Sequence, residues 1–261
     1  DYHLHTPLCK HARGNPEEYA EKARECGIIE IAFTDHAPAP CGYDYDVRMD
    51  IKDFPDYTRT VINTASEAGI SILYGIEADY YPGCEDFLPA WLKEQNFDIV
   101  LGSVHYIYDW AFDDRVTINR WETSNITEAW RAYFRLVAEA VDTGLYDVMA
   151  HLDLPKKFGH RPPLNEITGI ARPALDRLAE HGTAVELNTS GLDRPAKEIY
   201  PGPALLKLCR EHDIPIVFGS DAHSPEDVGR HFDKAVLAAR NAGYTHSLRF
   251  KNRKREKIEL P

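Results

Sequence analysis

Seven short, almost continuous apolar runs, each followed by a helical stretch, constrain this chain more than any other feature. They are DYHLH (1–5), IIEIAFTDH (28–36), ISILYGIEAD (70–79), FDIVLGSVH (97–105), YDVMAH (146–151), TAVELNTSG (183–191) and IPIVFGSDAH (214–223). Near-continuous apolar runs suit strands buried on both faces of a parallel sheet. Between them, NPEEYAEKAREC offers Asn15 as an N-cap, Pro16 at the first helical position and acids in the first turn. DFPDYTRTVINTASEAG, EDFLPAWLKEQ, NITEAWRAYFRLVAEAVDTG, GIARPALDRLAEHG, GPALLKLCREHD and SPEDVGRHFDKAVLAARNAG read as helices too, and several close on Gly. Seven strand–helix units over residues 1–261 predict an α/β fold, one TIM-like barrel in a single domain. The tail SLRFKNRKREKIEL is the sole candidate for an eighth strand and is too basic for a barrel interior.

The runs end on chemistry. His3 and His5 close the first, two residues apart, so both imidazoles share a face and can reach one metal. Asp35 and His36 end the second run, Glu77 the third, His105 the fourth, His151 the fifth, Asn188 the sixth, and Asp221 with His223 the seventh. In a barrel the C-terminal strand ends converge on one mouth, where active sites are built. His, Glu and Asp are ligands for zinc, manganese or iron. His11, in the loop after the first run, can fold over the same mouth. A lone His at a strand end is more often a hydrogen-bonded loop residue, but here six of the seven ends carry a His or a carboxylate. His181, His212, His231 and His246 read as surface residues, whereas His160 follows the fifth run.

Composition narrows the partners. A net charge of −12 disfavours nucleic acid and anionic membranes, and the basic run RFKNRKREK (249–257) reads as a solvated tail. No apolar run approaches the roughly 18 residues of a membrane span, and these residues contain no signal peptide. With no initiator Met, a few residues are expected upstream. Five cysteines, an odd number without a C-x-x-C pair, suggest reduced thiols and a cytoplasmic enzyme.

The motifs DYHLHTPLCKHARG, FTDHAP, GIEADYYPG, GSVHYI, HLDLPKKFG, ELNTSGL and FGSDAHSPEDVG, in this order along nearly the whole chain, resemble the PHP (polymerase and histidinol phosphatase) superfamily, and within it the monofunctional histidinol-phosphate phosphatases. The resemblance implies a distorted (β/α)7 barrel, in agreement with the seven runs, and a centre of three divalent metal ions. Carried over by position, it implies His3, His5, Glu77 and Asp221 around one metal, Glu77 bridging to a second held by His105 and His151, and a third held by His11, His36 and His223. It implies hydrolysis of L-histidinol phosphate, a step of histidine biosynthesis. Nitrogen and oxygen ligands leave zinc, manganese and iron all open, and the sequence leaves oligomeric state open.

A phosphate monoester also needs a grip beside the metals. LPKKFGHRPP offers Lys156, Lys157, His160 and Arg161, and SGLDRP offers Arg194. Arg161 and Arg194 are favoured because each sits just past a strand end and Arg suits forked contacts with phosphate. The candidate catalytic residues are therefore Asp35, orienting its neighbour His36, together with His223 and Arg161. The long aromatic segment YIYDWAFDDRVTINRWETSN (106–125) reads as a lid. Its Asp109, Asp113 and Asp114 either meet the cationic amine or imidazole of histidinol or are simply exposed. The rival substrates are other phosphoesters, a nucleotide or phosphotyrosine. An amidohydrolase-like enzyme would show eight strands and often a lysine on the fourth, where this chain has His105.

Overall fold

The computed structural model describes residues 1–67 and 69–261, with the backbone alone at Cys41 and Glu67. Six parallel strands form the main sheet: β1 (Glu30–Phe33), β2 (Ser71–Asp79), β3 (Ile99–Ser103), then, after a small hairpin of β4 (Tyr106–Ile107) and β5 (Trp110–Ala111), β6 (Val148–Met149), β7 (Ala184–Asn188) and β8 (Ile216–Gly219). Their order is β1-β2-β3-β6-β7-β8. The first apolar run joins the two edges. Leu4 bridges in parallel to Phe33 on one side and Ala222 on the other. The Tyr2 amide donates to Phe218 O at 2.9 Å, and the Thr34 amide donates to Leu4 O at 2.9 Å. This closure makes seven parallel segments around a TIM-like α/β barrel.

Side chains alternate as a buried strand requires. Ala32, Leu73, Ile99, Leu101, Val148, Ala184 and Val217 fill the barrel interior, while Ile31, Phe33, Ile76, Val100, Met149, Val185, Leu187 and Ile216 pack outward in the larger core. The helices α1 (Pro16–Glu25), α2 (Phe54–Glu67), α3 (Leu88–Glu94), α4 (Arg120–Thr123), α5 (Ile126–Asp142), α6 (Leu164–His181), α7 (Pro203–Glu211) and α8 (Phe232–Asn241) surround the sheet. The end of the expected helix 53–69 includes Ala68, which lies outside the described residues. At the start of α1 the Asn15 amide donates to Glu18 Oε2 at 2.6 Å, and α6 ends on Gly182 with φ +65°, a conformation that favours glycine.

The basic tail is not simply solvated. It forms an antiparallel hairpin, β9 (His246–Lys251) and β10 (Lys254–Glu259). Leu248 and Phe250 turn inward and join the barrel interior, where Phe250 meets Tyr2 edge-on at 6.4 Å. The alternate residues pair at the N-terminal ends of strands: Arg249 with Glu30 at 2.6 Å and Arg253 with Asp147 at 2.9 Å. The hairpin thus plugs the barrel at the end opposite the histidines.

The expected lid is a packed wall. Residues 106–125 hold the β4–β5 hairpin and α4, with Trp110, Phe112 and Trp121 buried. Trp121 Nε1 donates to Phe112 O at 2.8 Å. Among the described residues no helix is long and apolar enough to cross a membrane. Cys9, Cys26, Cys84 and Cys209 are free thiols; the Cys41 side chain lies outside the described residues.

Candidate metal centre

The mouth gathers side chains from every parallel segment. Strand alternation brings His3 and His5 to one face, rings 5.0 Å apart. Glu77, from β2, lies at the hub and is wholly buried. Its Oε2 is 2.9 Å from His36 Nδ1 and 3.4 Å from His3 Nε2, and its Oε1 is 3.1 Å from His151 Nε2 and 3.7 Å from His105 Nε2. Asp221 Oδ1 is 3.3 Å from His5 Nε2 and 3.8 Å from His3 Nε2. His223 stacks on His5 at 4.0 Å, and His11 lies over His223 at 4.5 Å. The structure therefore brings together all nine residues that the family resemblance implies as metal ligands.

Do these groups suit a cation? Buried polar atoms are nearly always hydrogen-bonded. Yet His3 Nε2, His5 Nε2, His36 Nδ1, His223 Nε2 and Glu77 Oε2 are buried without a hydrogen-bond partner. His36 Nδ1 and Glu77 Oε2 are close but not aligned for a hydrogen bond. Three sets have candidate ligand atoms within 4.8 Å of one another: His3, Glu77 and His151; His3, His5 and Asp221; His5, His36 and His223. Lone pairs converging in this way fit divalent metal ions with nitrogen and oxygen ligands.

Electrostatics point the same way. Burial opposes ionisation of Glu77, but His36, His3 and His151 hold its carboxyl well below the usual range. Asp221 is likewise held low, against burial, by His3, His5 and His223. Burial pushes His36, His223 and, to about 4, His11 below the usual imidazole value. His5 is raised to about 9 and His105 to about 10: burial opposes both rises, while Asp221 and Asp35 act on the first and Asp79 on the second. Carboxylates that hold a proton on these rings would hold a divalent cation as well.

A surrounding layer fixes the rings, and the sequence reading missed most of it. Glu186 accepts from His3 Nδ1 at 2.7 Å, from the His151 amide at 2.9 Å and from Asn188 Nδ2 at 3.0 Å. Asp79 lies 3.0 Å from His105 Nδ1 and 2.9 Å from Arg48. Asn188 and Ser190 reach Asp221 Oδ2 at 3.4 and 3.2 Å. A carboxylate inside an otherwise apolar, doubly buried run was the available signal for Glu186. Two of the mouth residues have left-handed backbones, His151 at φ +29° and Asp221 at φ +54°. Such strain costs about 1–3 kcal/mol and clusters at functional sites.

Asp35 differs from its expected role. Its carboxylate faces His5 Nδ1 at 3.4 Å and accepts from the amides of Thr6 and His36 at 3.1 and 2.9 Å. Consecutive residues of an extended chain point to opposite sides, so Asp35 cannot turn toward its neighbour's ring.

The expected phosphate grips divide. Arg194 and Lys157 line a cavity of about 300 Å³ together with His11, His36, Glu77, His105, His151, Asp221 and His223. Arg161 does not reach it. Its chain passes Gly159 and the Pro162-Pro163 pair, and its guanidinium pairs with Glu198 at 3.0 Å beside a separate cleft near α7. His160 stacks on Trp121 at 5.2 Å, and Lys156 is buried against Asp153 and Ile199 O at 2.8 and 2.7 Å.

Comparison with known proteins accords with this geometry. The family model described as PHP domain matches residues 1–190, and one described as PHP-associated matches residues 205–233. The chain is 42% identical over 256 residues to a protein of Deinococcus radiodurans named "Probable histidinol-phosphatase", across 97% of each. It is 29% identical to "Histidinol-phosphatase" of Bacillus subtilis, across 88% of this chain and 95% of that one. The fold also matches the solved structure of histidinol phosphate phosphatase from Lactococcus lactis subsp. lactis Il1403 complexed with zinc, L-histidinol and phosphate. That match has a TM-score of 0.79 at 23% identity and covers 98% of each chain. With the PHP domain matched over residues 1–190 and this degree of identity across nearly its whole length, the chain belongs to the PHP domain family.

Proposed function

We propose that this protein is a metal-dependent phosphomonoesterase that hydrolyses L-histidinol phosphate to L-histidinol and phosphate, a step of histidine biosynthesis. The observation that carries the reading is the set of unpartnered, buried ligand atoms around Glu77, opening into a cavity that also holds Arg194 and Lys157. His3, His5, Glu77 and Asp221 would hold one divalent ion, Glu77 with His105 and His151 a second, and His11, His36 and His223 a third, each being zinc, manganese or iron. Bound divalent cations neutralise the charge of a dianionic ester and acidify water enough to provide hydroxide near neutral pH.

The protein supplies the rest. Glu77 and Asp221 stay ionised in a buried place because the surrounding histidines hold their carboxyls low. Glu186, Asp79 and Asp35 fix ring orientations, so the ligand lone pairs need no rearrangement. Arg194 offers a planar fork to two phosphoryl oxygens, and Lys157 a point charge to a third. Positioning and charge stabilisation are what phosphoryl transfer chiefly needs.

The reading extends to the whole chain as one barrel domain, residues 1–261, since the C-terminal hairpin fills the barrel floor. The free thiols of Cys9, Cys26, Cys84 and Cys209 suit the reducing cytoplasm. The test is phosphate release across a phosphomonoester panel with metals added back. L-histidinol phosphate should give a kcat/KM well above a nucleotide monophosphate or phosphotyrosine; preference for either of those would replace it as substrate.

A further inference from the structure

The three aspartates of the 106–125 wall are not equivalent. Asp109 is exposed and pairs with Arg120 at 3.0 Å. Asp114 accepts from the Val116 amide at 2.8 Å and serves the turn. Of the three, Asp113 alone lines the mouth, where its Oδ2 meets Lys157 Nζ at 2.9 Å. Its backbone is held firmly: Phe112 is buried beside it and accepts from Trp121 Nε1 at 2.8 Å, while the Asp114 amide donates to Ala111 O at 3.2 Å.

The two cations of this cavity are therefore in different states. Among the described residues Arg194 makes no ion pair, so an arriving phosphate meets no competitor there. Lys157 is already paired. An ester bearing only negative charge must compete with Asp113 for Lys157 and weakens the pairing of a largely shielded carboxylate. Unpaired charges in such places are costly. An ester that also bears a cation restores the balance: one ion pair is exchanged for two, phosphate with Lys157 and ammonium with Asp113.

We propose that Asp113 is the specificity-determining residue that selects phosphomonoesters carrying a cationic amine near the ester, by exchanging its pairing with Lys157 for one with the substrate's ammonium group. This rests on the phosphatase reading above and adds to it the reason for choosing an aminoalkyl phosphate.

Two measurements test it. In Asp113→Asn, the ratio of kcat/KM for L-histidinol phosphate to that for 4-nitrophenyl phosphate, which has no amine, should fall roughly ten- to a hundredfold, mainly through KM for the first substrate. Metal content should stay that of the unmodified protein, and Asp113→Glu should recover part of the ratio. A ratio within threefold of the unmodified protein overturns the proposal, because a merely structural role would lower both substrates together. In the unmodified protein, L-histidinol should inhibit roughly tenfold or more tightly than 3-(imidazol-4-yl)propan-1-ol, the same alcohol without its amine. Equal inhibition overturns the proposal whatever the folding of the variants. Failure of the unmodified, metal-loaded protein to release phosphate from either ester would instead refute the phosphatase reading beneath it.

Discussion

Glu186 Oε1 lies 2.7 Å from His3 Nδ1, while its Oε2 accepts from the amide of His151, so one buried carboxylate sets both a ring and a strained backbone beside the two oxygens of Glu77. With Nδ1 of His3 occupied, Nε2 is left to face Glu77 and Asp221. Gly219 makes room for this arrangement, since a Cβ there would fall 1.8 Å from Glu186 Oε1. In Glu186→Gln an NH2 group must face one of these N–H donors. Metal affinity, measured by competition with a chelator, should fall about ten- to a hundredfold. Unchanged affinity would reduce Glu186 to a packing residue.

His5→Ala and Asp221→Asn remove side chains at the barrel mouth rather than apolar core contacts. Turnover should fall far more than the yield of folded protein, with a matching loss of bound metal. Wild-type turnover together with wild-type metal content in either variant would show that the reacting centre lies elsewhere.

Arg194 and Arg161 separate cleanly. A charged hydrogen bond contributes about 1.5–3 kcal/mol, so Arg194→Ala should lower kcat/KM for L-histidinol phosphate by roughly ten- to a hundredfold with metal content intact. Arg194→Lys should recover the charge but not the fork, and so only part of the loss. Arg161→Ala removes an exposed pair with Glu198 and should stay close to wild type. The opposite ranking in steady-state kinetics would move the phosphate to the cleft beside α7.

These contrasts show what was legible in the sequence. The strand runs and their polar ends could be read because burial on both faces excludes polar residues except where the strand leaves the core. His3, Glu77 and Asp221 stand out against that background. Glu186 obeys the same logic, two residues before Asn188 and on the same face, but was hidden because it ends no run. The place of Arg161 is not legible because a loop's path depends on contacts distant in sequence; here its guanidinium pairs with Glu198. Charge makes the tail read as solvated, although Leu248 and Phe250 alternate with Arg249 and Lys251 as a half-buried strand should.

The barrel floor carries its own pH dependence. Burial opposes ionisation of Glu30, but Arg249, Tyr2 and Ser71 hold its carboxyl below the ordinary value of 4.5. A lowered folded value means that this contribution is complete above about pH 4.5 and disappears as pH falls through the folded value. Thermal melts from pH 7 to pH 3 should therefore show Glu30→Gln less stable than wild type at neutral pH, with the gap closing below about pH 4.5. A gap constant across this range would contradict the assignment.

The central claim is that this mouth cleaves a phosphate ester with metals held by His3, His5, His11, His36, Glu77, His105, His151, Asp221 and His223. The most direct measurement is phosphate release from L-histidinol phosphate by protein stripped with a chelator and then reloaded, with metal counted in each sample. The account predicts loss of turnover on stripping and recovery with zinc, manganese or iron, rising with metal bound up to three ions per chain. Full turnover in a demonstrably metal-free sample, or none in a fully loaded one, would contradict it.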